Sequence, residues 1–312
     1  MQLIRGLSKV SQCLSSCVLT IGNFDGVHLG HQAILHHLRQ KADELNLPMA
    51  VMLFEPQPRE FFLGGNAPAR LMRLRDKLYY LKQAGVDVVI IAKFDRTFAN
   101  LLAQQFIEDW LVRKLNLKFL SIGDDFKFGA KRQGNFALLQ QAGEQFGFVV
   151  EDSRSFCLDA LRISSTAIRE ALANDDLTLA KKLLGRPYRI LGRVIHGNEL
   201  GRTIGFPTAN IRLHRQVNPV KGVYAVRVRL KSGAFFNGVA NIGTRPTING
   251  VNQLLEAHLF DFQGDLYGQW LDVELCHKIR NEMKFPSFDD LKAQITKDVE
   301  TAKNVFKTDR TL

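Results

Sequence analysis

Apolar residues in the first half of the chain fall into two alternating kinds of run. Short, nearly continuous ones occur at CVLTIG (Cys17 to Gly22), MAVMLF (Met49 to Phe54), DVVIIAKF, LKFLSIG and FVVED. Brief apolar runs bounded by turn residues read as buried strands. Between them lie longer stretches with a helical period. GHQAILHHLRQKADELN sets Ala33, Ile34, Leu38, Ala42 and Leu45 on one stripe. RLRDKLYYLKQAGV, ANLLAQQFIEDWLVRKL and FALLQQAGEQFG behave alike, and Gly85 stands just past the first of these. Strand and helix taking turns predict an α/β domain with a parallel sheet between helices. Such sheets bind ligands beyond the carboxyl ends of their strands.

Near residue 163 the pattern changes. ISSTAIREAL opens with hydroxyls and turns helical, and DDLTLAKKLLG continues as a helix that stops at Gly185. Beyond GRPY come β-like segments separated by Gly and Pro: RILGRVIHG, GVYAVRVRL, FFNGVANIG, LLEAHLFDF and WLDVELCHKI. In YAVRVRL, Tyr224, Val226 and Val228 alternate with Ala225, Arg227 and Arg229, the period of a half-buried strand. Strands at this spacing predict a small barrel. SFDDLKAQITKDVETAKNVF closes the chain as an amphipathic helix with Ser287 as N-cap and Asp290 three residues on. The expected division is residues 1–184 and 185–312. At 312 residues the chain exceeds the usual size of one domain.

Charge adds one inference. A net charge of +11 suits anionic partners: nucleic acid, an acidic membrane or phosphorylated small molecules. The basic residues are spread through both halves without an aromatic-basic RNA signature, so nucleic acid is not expected. No run reaches the length of a membrane span and no signal peptide opens the chain, which predicts a cytoplasmic protein. Cys13, Cys17, Cys157 and Cys276 fit neither a disulfide framework nor paired zinc-ligand spacing, and read as reduced, buried fillers. No obligatory protein partner is evident.

Two constellations carry chemistry. In TIGNFDGVHLGH, a strand-like run gives way to Gly22, Asn23, Asp25 and Gly26, and then to His28, Gly30 and His31 at a helix start. Such a start offers unpaired N–H groups and a positive dipole end, a cradle for phosphate. Two imidazoles three residues apart add donors for charge that grows on phosphorus. Gly22 and Gly26 permit the turn, and Gly30 permits close approach of a nucleotide. A pair of capping histidines on a surface turn is the alternative. A metal site would need a third ligand that the stretch lacks.

The second constellation, HGNELGRTIGFPTAN, holds Gly197, Gly201 and Gly205 before Thr208 and Asn210. It is neither a Walker loop nor a protein-kinase set. In an extended PTAN, Thr208 and Asn210 share one side and could complete the shell of a Mg²⁺ held by ATP phosphates, while the glycines let backbone wrap those phosphates. A turn followed by a plain strand is the alternative.

GNFDGVHLGH resembles the His-x-Gly-His signature of the nucleotidylyltransferases. ISSTAIRE, with Ser164, Ser165, Thr166 and Arg169, resembles their second signature, a hydroxyl-rich helix start with a basic residue. GRTIGFPTANI, GVYAVRV, GVANIGTRPT and LLEAHLFDF stand in the order of the riboflavin kinases. Over nearly its full length the chain resembles the bifunctional bacterial riboflavin kinase/FMN adenylyltransferase family. The resemblance implies a Rossmann-like nucleotidylyltransferase domain, then a six-stranded riboflavin kinase barrel with a C-terminal helix. It implies Mg-ATP as phosphoryl donor, riboflavin as acceptor, FMN as product and second acceptor, and FAD as final product. His28, His31 and Glu256 would be catalytic, Glu256 as the base for the ribityl hydroxyl. Gly22, Asn23, Asp25, Gly30, Asp125 in GDDFKFG, Ser164, Ser165, Thr166 and Arg169 would bind ATP and phosphates for adenylylation. Gly197, Gly201, Gly205, Thr208 and Asn210 would serve the kinase, the last two as Mg²⁺ ligands. Arg280 and Phe285, in RNEMKFPS, would contact flavin.

The sequence departs from the family at Gln57, where many members carry His, and at Met283, where a polar residue is common. Three rivals stand beside this reading: a transferase for another acceptor, an RNA-binding protein, and a flavin-storage module.

Overall fold

The computed structural model describes residues 1–6, 9–123, 125–153, 157–158, 161–197, 205–215, 217–247 and 250–308. A six-stranded sheet organises the first half. Its strands are β1 (Gln2–Arg5), β2 (Cys17–Ile21), β3 (Met49–Glu55), β4 (Val88–Lys93), β5 (Leu117–Ile122) and β6 (Val149–Asp152), in the order β1-β4-β3-β2-β5-β6. All five pairings are parallel. The sequence signals β2 to β5 as apolar runs because both faces of each strand are covered, whereas β6, at the edge, has exposed ends and a half-buried middle. From β2 the chain steps through β3 and β4 to one side and, later, through β5 and β6 to the other. The crevice between the carboxyl ends of β2 and β5 is thus the point where such sheets take ligands.

Helix α1 (Leu29–Glu44) follows β2, α2 (Pro58–Leu63) follows β3, α3 (Leu74–Gln83) precedes β4, and α4 (Phe136–Phe146) precedes β6. Gly147 ends α4 in the left-handed conformation, a common helix stop. The helical stretch before β5 begins at Ala103 and widens to a π-helix over Phe106–Lys114. Leu19, Met52, Ile90, Ile107, Leu111 and Leu120 form part of one core.

The second half closes on itself. Strands β9 (Arg189–Ile195), β10 (Ala209–Arg212), β11 (Gly222–Arg229), β12 (Phe235–Thr247), β13 (Gly250–Leu259) and β14 (Trp270–Arg280) make a closed barrel in the order β10-β13-β12-β11-β14-β9. A short hairpin, β7 (Cys157–Leu158) with β8 (Leu161–Arg162), precedes it, then α5 (Ser165–Ala173) and α6 (Leu177–Leu184). Along β11, Tyr224, Val226 and Val228 are buried as the alternation predicts, but so is Ala225. Val223 and Ala225 face outward and are covered by Val299 and Ala302 of α7 (Phe288–Thr308). Ser287 caps α7: its Oγ accepts from the Asp290 N–H at 3.1 Å and its hydroxyl donates to the Asp290 carboxylate at 2.6 Å.

The chain divides into two compact units, and the division is not a single cut. Met1–Pro68 and Arg73–Ser165 form the first, Ala69–Met72 and Thr166–Leu312 the second. The four-residue strap 69–72 is held within the second unit by its backbone carbonyls. Arg169 Nε donates to Ala69 at 2.6 Å, Tyr188 Oη to Leu71 at 3.0 Å, and Arg215 Nη2 to Leu71 at 3.3 Å. Among the described residues, no helix is long and apolar enough to cross a membrane.

Candidate active sites

The first site is built on the turn between β2 and α1. Phe24, Gly26 and Val27 all have positive φ, at 46°, 89° and 37°. Only glycine takes such angles without penalty, and a β-branched residue there is strained. This contorted turn delivers His28 to the N-cap of α1, where its Nδ1 accepts the His31 N–H at 3.3 Å. An accepting Nδ1 puts the neutral ring's proton on Nε2, a donor. The His28 and His31 rings stack at 3.6 Å, and Phe24 lies 4.7 Å from His31. His28 is buried at 5% exposure.

Gly30 also serves the local packing of the turn. A Cβ there would sit 3.2 Å from His28 Nδ1 and 3.4 Å from the Ile163 carbonyl, so its smallness makes room for the imidazole itself.

The second signature joins the first. Ser165 Oγ donates to the Asp25 backbone carbonyl at 2.8 Å, across 140 residues of sequence. Asp25 is buried at 1% exposure. Ser164 and Ser165 belong to this unit, whereas Thr166 and Arg169, further along α5, belong to the second. Asp125 is exposed just past β5, and a Cβ on Gly123 would lie 2.8 Å from its Oδ1. The loops carrying Asp125 and His28 therefore flank the crevice from its two strands.

Two features of this unit escaped the sequence reading. One is Lys77, 2% exposed, whose Nζ donates to the Asn23 carbonyl at 2.5 Å. Its signal was available, since Lys77 shares a helix stripe with buried Leu81 four residues on. The other is an aromatic cluster at the carboxyl ends of β3 and β4. Phe61, Phe62 and Phe94 meet edge to face at 5.1 to 5.8 Å, and Phe62 is 66% exposed. Gln57 is buried at the start of α2, its N–H donating to Glu60 at 3.0 Å.

In the barrel, register does the assembling. Glu256 on β13 faces Asn210 on β10 at one side and Asn241 on β12 at the other. Cross-strand partners share a sheet face, so three polar side chains form a row on three adjacent strands. Asn241 was missed because it reads as an interruption of an apolar run. Asn210 is 7% exposed, and a Cβ on Gly197 would collide with its amide. Thr208 stands one residue before β10, and Gly205 has φ 87°. Gly201 lies outside the described residues. His258, on the same face as Glu256, meets the Pro207 carbonyl through Nδ1 at 2.9 Å.

Arg280 continues this face, paired with Val223 across β11. Its guanidinium grips Asp298 of α7 at 2.7 to 3.1 Å and lies 5.7 Å from the Phe285 ring. Met283 is exposed. Among the described residues no group of three or more His, Cys, Asp or Glu could hold a metal by itself. Burial pushes the Cys17 thiol up to about 12 and, with the Glu274 charge adding to it, the Cys276 thiol to about 11. Cys17 is a buried filler as expected, and Cys276 is half-buried; the side chain of Cys157 lies outside the described residues. Cys13 is not a buried filler, because it lies exposed at the end of a one-turn helix.

The FAD synthetase family model matches residues 10–167 and the riboflavin kinase model residues 184–306. A bifunctional riboflavin kinase/FMN adenylyltransferase from Haemophilus influenzae is 77% identical over 308 residues, covering 99% of this chain and 100% of the relative. The protein of that description from Escherichia coli K12 is 58% identical over 307 residues, 98% of each chain. A crystal structure of a Streptococcus pneumoniae protein named as a macrolide-efflux protein has a TM-score of 0.80 at 31% identity, covering 97% of this chain and 99% of that one. Sequence signatures, strand order, barrel and relatives agree: the chain belongs to the bifunctional riboflavin kinase/FMN adenylyltransferase family.

Proposed function

We propose that the two reactions of the family are performed at two separate places, the His28 turn and the Asn210–Glu256 row. The observation that supports this reading is the Ser165–Asp25 hydrogen bond, which ties a hydroxyl of the second nucleotidylyltransferase signature to the turn of the first. A phosphate oxygen of FMN attacks the α-phosphorus of ATP there. A new P–O bond forms, the bond to the bridging oxygen breaks, and pyrophosphate leaves with those electrons. No covalent enzyme intermediate is required, so alignment and charge neutralisation supply the catalysis. His28 and His31 donate to the α-phosphoryl oxygens. Gly22, Asn23, Asp25, Gly30, Asp125, Ser164, Ser165, Thr166 and Arg169 are assigned to ATP and phosphate. The exposed Phe61 and Phe62, with the half-buried Phe94, offer the flavin ring an aromatic shelf.

In the barrel, Glu256 takes the proton from the ribityl hydroxyl as that oxygen attacks the γ-phosphorus, and ADP departs. Gly197, Gly201 and Gly205 are assigned to the ATP phosphates. Mg²⁺ fits the donor set, since Thr208 and the buried Asn210 offer neutral oxygens and a phosphate-bound Mg²⁺ needs few protein ligands. When bound it would neutralise phosphate charge. Phe285 is assigned to flavin, and Arg280 to flavin through the segment it anchors.

The functional division falls at 184/185: every residue assigned to adenylylation precedes it and every one assigned to the kinase follows it. Substrates are riboflavin, FMN and ATP, small solutes of the cytoplasm, where we place the chain, with no nucleic acid, membrane or obligatory protein partner. Purified protein incubated with riboflavin, ATP and magnesium should yield FMN and then FAD by chromatography. Neither product would refute the reading, and FMN alone would refute its first half.

A further inference from the structure

Three side chains from three helices hold alternate carbonyls of the strained turn. Lys77 of α3 binds Asn23 at 2.5 Å, Ser165 of α5 binds Asp25 at 2.8 Å, and Gln32 of α1 binds Val27 at 3.0 Å. Positive φ at a non-glycine residue persists only where the surroundings enforce it, and this turn has two, at Phe24 and Val27. Lys77 is the cationic member of the three, and it is 2% exposed. Burying an amine is costly unless it is well bonded, so a lysine kept at such a place needs a use that a leucine would not serve. Its acceptor, the Asn23 carbonyl, is the first of the turn after Gly22, and five residues later the chain delivers His28.

We propose that Lys77 is a positioning residue for adenylylation. It fixes the opening of the turn, and through the turn the His28 imidazole. This rests on His28 acting as assigned above. A group misplaced by a fraction of an ångström costs turnover without costing substrate affinity.

Lys77→Met should therefore lower kcat for FMN to FAD by roughly 10- to 100-fold, while KM for ATP and for FMN stays within about threefold. Lys77→Arg, which keeps a charged donor, should recover most of the turnover. Riboflavin phosphorylation by the same preparation should be unchanged. In a His28→Ala background, Lys77→Met should cost little more, because the two act as one unit.

Unchanged kcat, a rise in KM alone, or an equal loss in both backgrounds would each overturn the proposal. So would a lowered melting temperature with full adenylylation per folded molecule. Full adenylylation by His28→Ala would bring down the assignment of His28 and this proposal with it. Loss in His28→Ala with none in Lys77→Met brings down the proposal only. Should Lys77→Met prove insoluble, Lys77→Gln, shorter but still a donor, is read in the same way.

Discussion

His28 Nδ1 caps α1, and in the reaction proposed above its Nε2 donates to the migrating phosphoryl group. Removing one preorganised donor from a transition-state site typically costs about 10²- to 10³-fold in turnover. His28→Ala and His31→Ala should each lower FAD formation by about that factor and leave FMN formation intact, as read by chromatography of both products. Equal loss of both would contradict separate sites. In the barrel the expectation is reversed. Asn210→Ala or Glu256→Ala should abolish riboflavin phosphorylation while supplied FMN is still converted to FAD. A fully active Glu256→Ala kinase would remove it as base. Gln57, buried at the N-cap of α2, and Met283, exposed after β14, are members of neither constellation.

Elements were legible in the sequence where burial was two-sided or the period clean. Four of the five apolar runs became β2 to β5 because a covered parallel strand has no polar face to display; the fifth became the edge strand β6, in which no residue is fully buried. β1 was not legible. It is four residues long, and Ile4 alone of them is buried. The π-helix at Phe106–Lys114 was read as ordinary helix, because its apolar spacing satisfies either winding. Ser287 was legible because capping is local chemistry. Ser287→Ala should cost about 1 kcal/mol and lower the melting temperature by about 2–4 °C. An unchanged transition would mean that the Asp290 N–H finds water equally well. What no period could disclose was the meeting of distant residues. The Asn210–Glu256–Asn241 row depends on barrel register, and the Lys77–Asn23 and Ser165–Asp25 bonds on how helices pack over a strand end.

Across the whole chain, buried ionisable groups set the alkaline limit of stability. Cys276, held near 11 against a usual 9.0, and Cys17, near 12, keep their protons in the fold after the unfolded chain has lost them. Tyr224 is shifted upward too, by burial and the Asp175 charge. A folded value above the unfolded one means stability that is complete below the unfolded value and lost as pH rises through the folded one. Denaturant midpoints should hold steady up to about pH 9 and fall progressively toward 11 and beyond; a flat midpoint there would show that these groups ionise without unfolding. A second expectation concerns excision. A fragment of residues 166–312 lacks the strap, so buried Arg215 and Tyr188 lose the Leu71 carbonyl. Each buried group left without its partner costs about 1–3 kcal/mol, and the fragment should melt below the same unit within the full chain. Equal melting would mean that water replaces the carbonyl.

The strap also sets a timetable for synthesis. Leu71 leaves the ribosome 144 residues before Arg215, the partner that holds it. At about 5–20 residues per second that is a wait of roughly 7–30 s. During translation, four residues from the early part of the message must therefore stay available for a barrel that does not yet exist.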